Sequence, residues 1–365
     1  MKRIKLVLLG ARNSIHIVRW VNALSERYHE VHLITQHCEG DVLDPKVKVY
    51  NLPFHGEKAY FLNAPFVRRL LKKLNPDLLH VHYASGYGTL GRLSGFSPYL
   101  LSVWGSDVYD FPYQSSFKMK LLQKNLRAAD LIASTSHVMA KQTNNLCAGL
   151  SKIHITPFGV DTTFFNPSDR AKSNDTLTIG TIKSLTFKYG IDTLIKGFAG
   201  AYNSLKKHDE QIAEKLHLLI VGDGNDRRAL EELACSLNID KITKFIGAVV
   251  YSSVSDYLHK LDIYVAVSRL DSESFGVAIV EASACALPVI VSDVGGLPEV
   301  VSDGVSGIII PCDDSYMLAK MLEKLILNRD LRKRMGQAGL ERVIEKYTWE
   351  ESVSIMENLY AGMLL

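Results

Sequence analysis

The chain has 365 residues, 47% of them apolar and 22% charged, which is ordinary globular composition with enough length for two separate cores. Its five cysteines, Cys38, Cys147, Cys235, Cys285 and Cys312, are scattered and form no Cys-x-x-Cys pair, which argues against a disulfide framework or a cysteine zinc site and fits a reducing cytoplasm. The net charge of +3 conceals an asymmetry: residues 1–160 carry 20 Lys+Arg against 10 Asp+Glu, and residues 161–365 carry 22 against 29.

In chain order, short apolar runs of β type alternate with longer helical patterns, the signature of parallel sheets with crossover helices. The first series is expected at 4–9, 31–35, 47–52, 78–82, 99–103, 131–134 and 153–156. Residues 1–10 read as a strand directly after Met-Lys-Arg, with no small-residue cleavage site. No apolar run approaches the roughly 20 residues of a membrane helix. A second series is expected at 177–180, 216–221, 243–246, 263–267, 289–291 and 307–310, followed by helices to the end. Between the two lies a polar, turn-rich stretch, 165–175, read as the linker. These lists predict an α/β chain of two Rossmann-like, doubly wound domains, 1–168 and 169–347, with a terminal segment 348–365. Ligands are expected beyond the carboxyl ends of the strands, in a cleft where the two domains face each other.

Basic residues concentrate in Arg68-Arg-Leu-Leu-Lys-Lys73 and in 117–127, both helical in pattern, where they would form a solvated face or attract anionic lipid headgroups. No nucleic-acid module and no interleaving of aromatic with basic residues accompanies them, so no nucleic-acid partner is expected. His80 and His82 lie on one strand and are expected to face opposite sides of the sheet, each as a packed histidine.

The richest segment is Asp271-Ser-Glu-Ser-Phe-Gly-Val-Ala-Ile-Val-Glu281, continuing through Ala286-Leu-Pro-Val-Ile-Val-Ser-Asp-Val-Gly-Gly-Leu-Pro-Glu299. Ser274 is expected to cap a helix over 275–286 that Pro288 stops. Glu273 then stands at the helix mouth and Glu281 one to two turns in. The unpaired N–H groups of a first turn favour an anion such as a phosphate, and Gly276 would leave them open. The alternative is that Glu273 decorates the helix dipole and Glu281 pairs with a basic residue.

This Glu-x7-Glu segment resembles the donor site of family-4 (group 1) retaining glycosyltransferases of GT-B type. So do Pro157-Phe-Gly-Val-Asp-Thr-Thr-Phe-Phe-Asn-Pro167, Lys188-Tyr-Gly-Ile-Asp-Thr-Leu-Ile195, Leu219-Ile-Val-Gly-Asp-Gly224 and Phe245-Ile-Gly-Ala248, in the family's order. The resemblance implies a metal-independent glycosyltransferase without a cofactor, using a UDP- or GDP-sugar. The acceptor would be a glycan or a polyprenyl-linked glycan in cell-surface polysaccharide synthesis. The site would be cytoplasmic or peripheral on the inner membrane face. It also implies a last helix, 349–363, that crosses back onto the first domain.

By resemblance, Glu273 lies nearest the donor sugar and Glu281 accepts hydrogen bonds from ribose hydroxyls. Lys188 faces the diphosphate, and Ser274 and the backbone at Phe275, Gly276 and Val277 bind phosphate or sugar oxygens. Gly222 and Gly224 form a turn that lets the donor approach. Relatives carry Gly-Arg at the start of the second domain and then Lys-Gly. Here Thr181 follows Gly180, and Tyr189 separates Lys188 from Gly190, so Lys183 is the candidate to replace the missing arginine. On the acceptor side, Gly10, Arg12 and His16 follow the first strand. Trp104 stands where relatives have histidine and would stack on a sugar, and Asp107 would bind sugar hydroxyls. No Asp-x-Asp occurs. A sugar-nucleotide epimerase of the same fold, or a sugar-nucleotide-binding relative without activity, is the competing reading.

Overall fold

The computed structural model describes residues 3–168 and 175–365. It divides into two compact units, Met1–Pro157 with Glu351–Leu365, and Phe158–Glu350.

Unit 1 is built on strands β1 (Lys5–Leu9), β2 (Glu30–Thr35), β3 (Lys48–Asn51), β4 (Leu78–His82), β5 (Tyr99–Val103), β6 (Leu131–Ser134) and β7 (Ile153–Ile155). They pair in the order β3-β2-β1-β4-β5-β6-β7, all parallel. The central strands are buried on both faces, so they read as near-continuous apolar runs, broken by His80, His82 and Ser102, rather than as a regular alternation. Helices cover them, among them α1 (Ile15–Glu26), α2 (Ala64–Leu74) and α3 (Ser116–Arg127). The Ser115 hydroxyl caps α3 by accepting the Lys118 N–H, which satisfies one orphan donor of the first turn.

Unit 2 repeats the plan with β8 (Leu177–Ile182), β9 (Leu216–Val221), β10 (Thr243–Phe245), β11 (Ile263–Ala266), β12 (Val289–Ser292) and β13 (Gly307–Ile310), in the order β10-β9-β8-β11-β12-β13. Helix α4 (Ile191–His208) follows β8 and packs on the sheet through Leu194, Ile195 and Phe198. Helix α5 (Val277–Ala284) lies between β11 and β12. In both sheets the strand order reverses beside the first strand of the series, between β1 and β4 and between β8 and β11. Loops that leave such a reversal diverge and open a crevice for ligands.

The boundary between units falls at Pro157/Phe158, ahead of the stretch read as a linker. Phe165 is fully buried. The Ser255 hydroxyl donates to the Phe164 carbonyl at 3.0 Å, and Asn166 O meets His259 Nε2 at 2.8 Å. The apolar pair Phe164-Phe165 thus anchors this stretch to unit 2 despite its polar neighbours, and residues 169–174 of the expected linker lie outside the described residues. The last helix, α6 (Trp349–Met363), enters unit 1 from Glu351 onward. There Glu357 accepts from Arg27 Nη1 at 2.7 Å and meets His29 Nε2 at 2.9 Å. Among the described residues, no helix is long and apolar enough to cross a membrane.

Candidate functional site

In unit 2 the residues around the β8/β11 reversal form an ion cluster. Lys183, just past β8, donates from Nζ to Glu273 Oε1 at 2.6 Å, and Lys188 Nζ lies 3.8 Å from Glu273 Oε2. The Tyr189 ring lies 5.0 Å and 5.4 Å from the two ammonium groups. Burial alone would push the Glu273 carboxyl up, but the Lys183 charge and hydrogen bond, with Lys188 behind them, hold it below the usual carboxylate range. Burial likewise opposes the charged form of Lys183, and the Glu273 carboxylate outweighs it and raises the ammonium above its ordinary value. Both groups are therefore ionised at neutral pH.

The helix mouth differs from the expectation. Helix α5 starts at Val277 behind Gly276, which adopts φ +92°, and Ser274 is not its cap. Gly276 is required for that left-handed turn. A Cβ there would meet Leu297 and Ile279 side chains at 2.9 Å and 3.0 Å, so the glycine also has a packing reason inside the chain. Phe275 is buried, edge-on to Phe158 and Tyr347 at 5.9 Å and 5.8 Å, which fixes the mouth from the side. Gly295 and Gly296 let the loop after β12 lie against Glu273 and Ser274, since Cβ atoms there would come within 2.4 Å of Glu273 O and 2.1 Å of Ser274 O. The Ile279 and Val280 N–H groups donate to Gly276 O at 2.9 Å and 3.2 Å, while those of Val277 and Ala278, ahead of them, precede the first intrahelical acceptor.

Glu281 is buried on α5, where its Oε1 accepts the Tyr251 hydroxyl at 2.9 Å. Tyr251 in turn stacks near Phe164 with ring centroids 6.2 Å apart. The Gly222 turn also has an internal reason. A Cβ at Gly222 would sit 1.9 Å from Lys183 O, and one at Gly224 would sit 2.3 Å from Leu185 O. These glycines press the β8 and β9 ends together and so position Lys183.

In unit 1 a file of rings runs through the β1/β4/β5 ends. Tyr360 on α6 shares a hydrogen bond with His80 Nδ1 at 2.7 Å, and His80 Nε2 meets Ser102 Oγ at 2.8 Å. His80 and His82 are tilted at 38° with centroids 3.9 Å apart, so they share one face. The expectation of opposite faces is corrected by the two-residue period of a strand, which returns residue i+2 to the side of residue i. His82 lies 4.7 Å from the Trp104 ring, and Trp104 lies 5.7 Å from His16. Burial, with Arg19 nearby, lowers His16 to about 4, and burial lowers His80 to about 3. Both are neutral at pH 7. At 1% exposure, His82 has no hydrogen-bond partner for either ring nitrogen among the described residues.

Asp107 does not meet the expectation of a sugar contact. It is 0% exposed, and its carboxylate accepts N–H groups of Ala84, Trp104 and Gly105 at 2.8 Å, 3.1 Å and 2.8 Å. It clamps the loops after β4 and β5 and presents no surface to a ligand. Gly10 packs under Ile17, whose Cδ1 lies 2.4 Å from where a Cβ would stand. Arg12 donates from Nη1 to Cys38 O at 3.2 Å.

Residues 163–342 match the family model "Glycosyl transferases group 1", and residues 5–136 match "Glycosyl transferase 4-like". The D-inositol 3-phosphate glycosyltransferase of Thermobifida fusca is 31% identical, over 96% of this chain and 88% of that one. The chain belongs to the group 1 glycosyltransferases. The N-acetyl-alpha-D-glucosaminyl L-malate synthase of Bacillus anthracis is 25% identical over 93% and 91% of the two chains. Among solved structures, sucrose-phosphate synthase from Thermosynechococcus elongatus superposes with TM-score 0.82 at 20% identity, covering 99% of both chains. Anabaena HepE, in complex with UDP and glucose, gives 0.76 at 16%, covering 98% and 100%. These likenesses show the GT-B fold.

Three side chains around the glycosyltransferase cluster escaped the sequence reading: Tyr251, Tyr189 and Arg269. Tyr251 lies 30 residues before its partner Glu281 and carries no motif. In the sequence Tyr189 is only an interruption between Lys188 and Gly190, and Arg269 stands two residues before Asp271, outside the Glu-x7-Glu segment.

Proposed function

We propose that this glycosyltransferase takes its sugar from a nucleoside diphosphate donor, with retention of anomeric configuration, and passes it to a glycan or polyprenyl-linked acceptor at an anionic membrane surface. The observation that carries the donor half is the Lys183–Glu273–Lys188 cluster beside the start of α5, with Glu281 on that helix. Departure of a diphosphate develops negative charge, and preorganised cations and N–H groups that face it lower the barrier. Lys188 and the amides of Phe275, Gly276 and Val277 supply that stabilisation, while Lys183 is held protonated and oriented by Glu273. Glu281, an acceptor-only group when ionised, takes ribose hydroxyls next to the Tyr251 hydroxyl.

A double displacement would need a basic nucleophile on the face opposite the leaving group. Glu273, tied to Lys183 and held below the usual carboxylate range, is a weak base. Reaction on one face, with the leaving phosphate accepting the acceptor's proton, fits that better. Incubation with a panel of UDP-, GDP- and ADP-sugars tests the reading. Free nucleoside diphosphate formed in the presence of acceptor is expected. Interconversion of intact donors would indicate an epimerase, binding without turnover a catalytically silent relative, and no binding would end the donor-site argument.

The membrane part rests on unit 1. Phe61, Leu62 and Phe66, at and before the start of α2, are exposed, as is Phe117 on α3. Arg68, Arg69, Lys72 and Lys73 follow on α2, and Lys118, Lys120 and Lys124 lie on α3. Apolar side chains beside basic ones suit a helix lying in a headgroup layer. Binding to phosphatidylglycerol-containing vesicles is expected at about 0.1 M salt and lost near about 1 M, where the screening length falls from about 10 to about 3 Å. Equal binding to pure phosphatidylcholine vesicles would refute the electrostatic part.

A further inference from the structure

We propose that Arg269 is the positioning residue for Lys188, holding the turn that carries this lysine against the loop that carries Glu273. The inference rests on the donor-site reading above. Arg269 follows β11 and precedes Glu273 by four residues. Its backbone N–H donates to Lys188 O at 2.7 Å. Its guanidinium forms a two-pronged pair with Asp192, Nη1 to Oδ1 at 2.7 Å and Nη2 to Oδ2 at 2.8 Å. Nη2 also reaches Thr193 Oγ1 at 3.0 Å, Nη1 reaches Phe187 O at 3.3 Å, and Nε donates to Asp313 Oδ1. The Phe187 ring lies over the guanidinium at 4.7 Å.

A guanidinium has five N–H donors in a rigid fork, and here each has an acceptor. Arg269 therefore has no donor left for a diphosphate, so it is not a replacement for the arginine that relatives carry at the position of Thr181. Its partners show what it does instead. They lie on the Phe187–Tyr189 turn, on the first turn of α4 and beyond β13. The turn is also seated by close approach, since a Cβ at Gly190 would stand 2.0 Å from Val267 O. Lys188 and Glu273 are thus two ends of one short assembly whose middle is Arg269, and the 3.8 Å spacing between them depends on it.

The charge-preserving variant Arg269→Lys tests this, because lysine keeps the cation but cannot make the fork. Amide hydrogen exchange over 186–190 is expected to rise in the donor-free protein while β8 and β9 keep their protection. With sugar nucleotide, kcat is expected to fall about 10- to 100-fold with little change in donor KM. In a Lys188→Ala background the same substitution should cost nothing further in kcat, because residues that act through one another are not additive. Unchanged exchange over 186–190 overturns the proposal whatever reaction the enzyme runs, and so do losses in kcat that multiply. If the parent protein binds no sugar nucleotide while exchange rises as expected, the donor-site reading fails and the mechanical link from Arg269 to the turn stands.

Discussion

Lys188→Ala is expected to lower kcat about 10²- to 10³-fold while the Kd for nucleoside diphosphate changes only severalfold, and Glu281→Gln is expected to do the reverse. The two residues are separated by the stage at which each acts. Lys188 is partly exposed, with Nζ 3.8 Å from Glu273 Oε2, and in the proposed donor complex its charge faces a diphosphate whose negative charge grows as the bond breaks. An interaction that strengthens in the transition state appears in kcat, and removal of one preorganised charge stabiliser typically costs that much. Glu281 has a different task. Hydrogen bonds to a charged acceptor are worth about 1.5–3 kcal/mol against about 1 for neutral ones, so the neutral amide should weaken ribose binding about 2- to 30-fold. Those bonds are equal in ground and transition states, so kcat at saturation should hold. Calorimetric titration with UDP and GDP, paired with steady-state rates, separates the two. Kinetics of both variants matching the parent would end both assignments.

Much of this arrangement was legible because parallel sheets write themselves plainly. Leu78–His82, Tyr99–Val103 and Leu216–Val221 are bounded in the structure where the apolar runs begin and end, since strands buried on both faces need no polar alternation. Less legible was anything that depends on which backbone lies against which. Gly222, Gly224 and Gly276 carry positive φ or fill close contacts inside the chain, and the sequence alone gives the same signal for a glycine that admits a ligand. Asp107 shows the same ambiguity for a carboxylate: its type suits sugar hydroxyls, but the loops after β4 and β5 converge on it and use its oxygens. The units divide at Pro157/Phe158, ahead of the expected 168/169, and two phenylalanines in a polar stretch outweigh their neighbours once a core is there to receive them. Arg269 could have been suspected from its place beside the Glu-x7-Glu segment, but its five partners come from three separate parts of the chain.

Lys183→Met is expected to destabilise unit 2 by about 3 kcal/mol at pH 7, the lower end of the cost of breaking a buried ion pair, and to lower its Tm by roughly 6–12 °C for a unit of this size. The substitution keeps most of the length of the side chain and removes its charge, leaving the buried Glu273 carboxylate with Lys188 at 3.8 Å as its nearest cation. In the parent, Glu273 sits below its unfolded value. The stability it contributes is therefore fully present above about pH 4.5 and is lost as pH falls through the lower, folded value. Lys183 is raised, so its contribution is fully present below about pH 10.4 and is lost only as pH climbs through the folded value. Between those limits the pair contributes a constant amount. In the variant the balance at Glu273 reverses, because burial, the first influence on this group, is no longer outweighed and pushes the carboxyl up. Acid then favours the folded variant by protonating Glu273, while it withdraws stabilisation from the parent. The Tm difference should accordingly shrink as pH is lowered from 7 towards about 4, and adding Glu273→Gln to Lys183→Met should recover part of the loss at pH 7. A Tm difference that stays constant across that range, or a double variant no more stable than Lys183→Met alone, would show that the pair does not hold this site together.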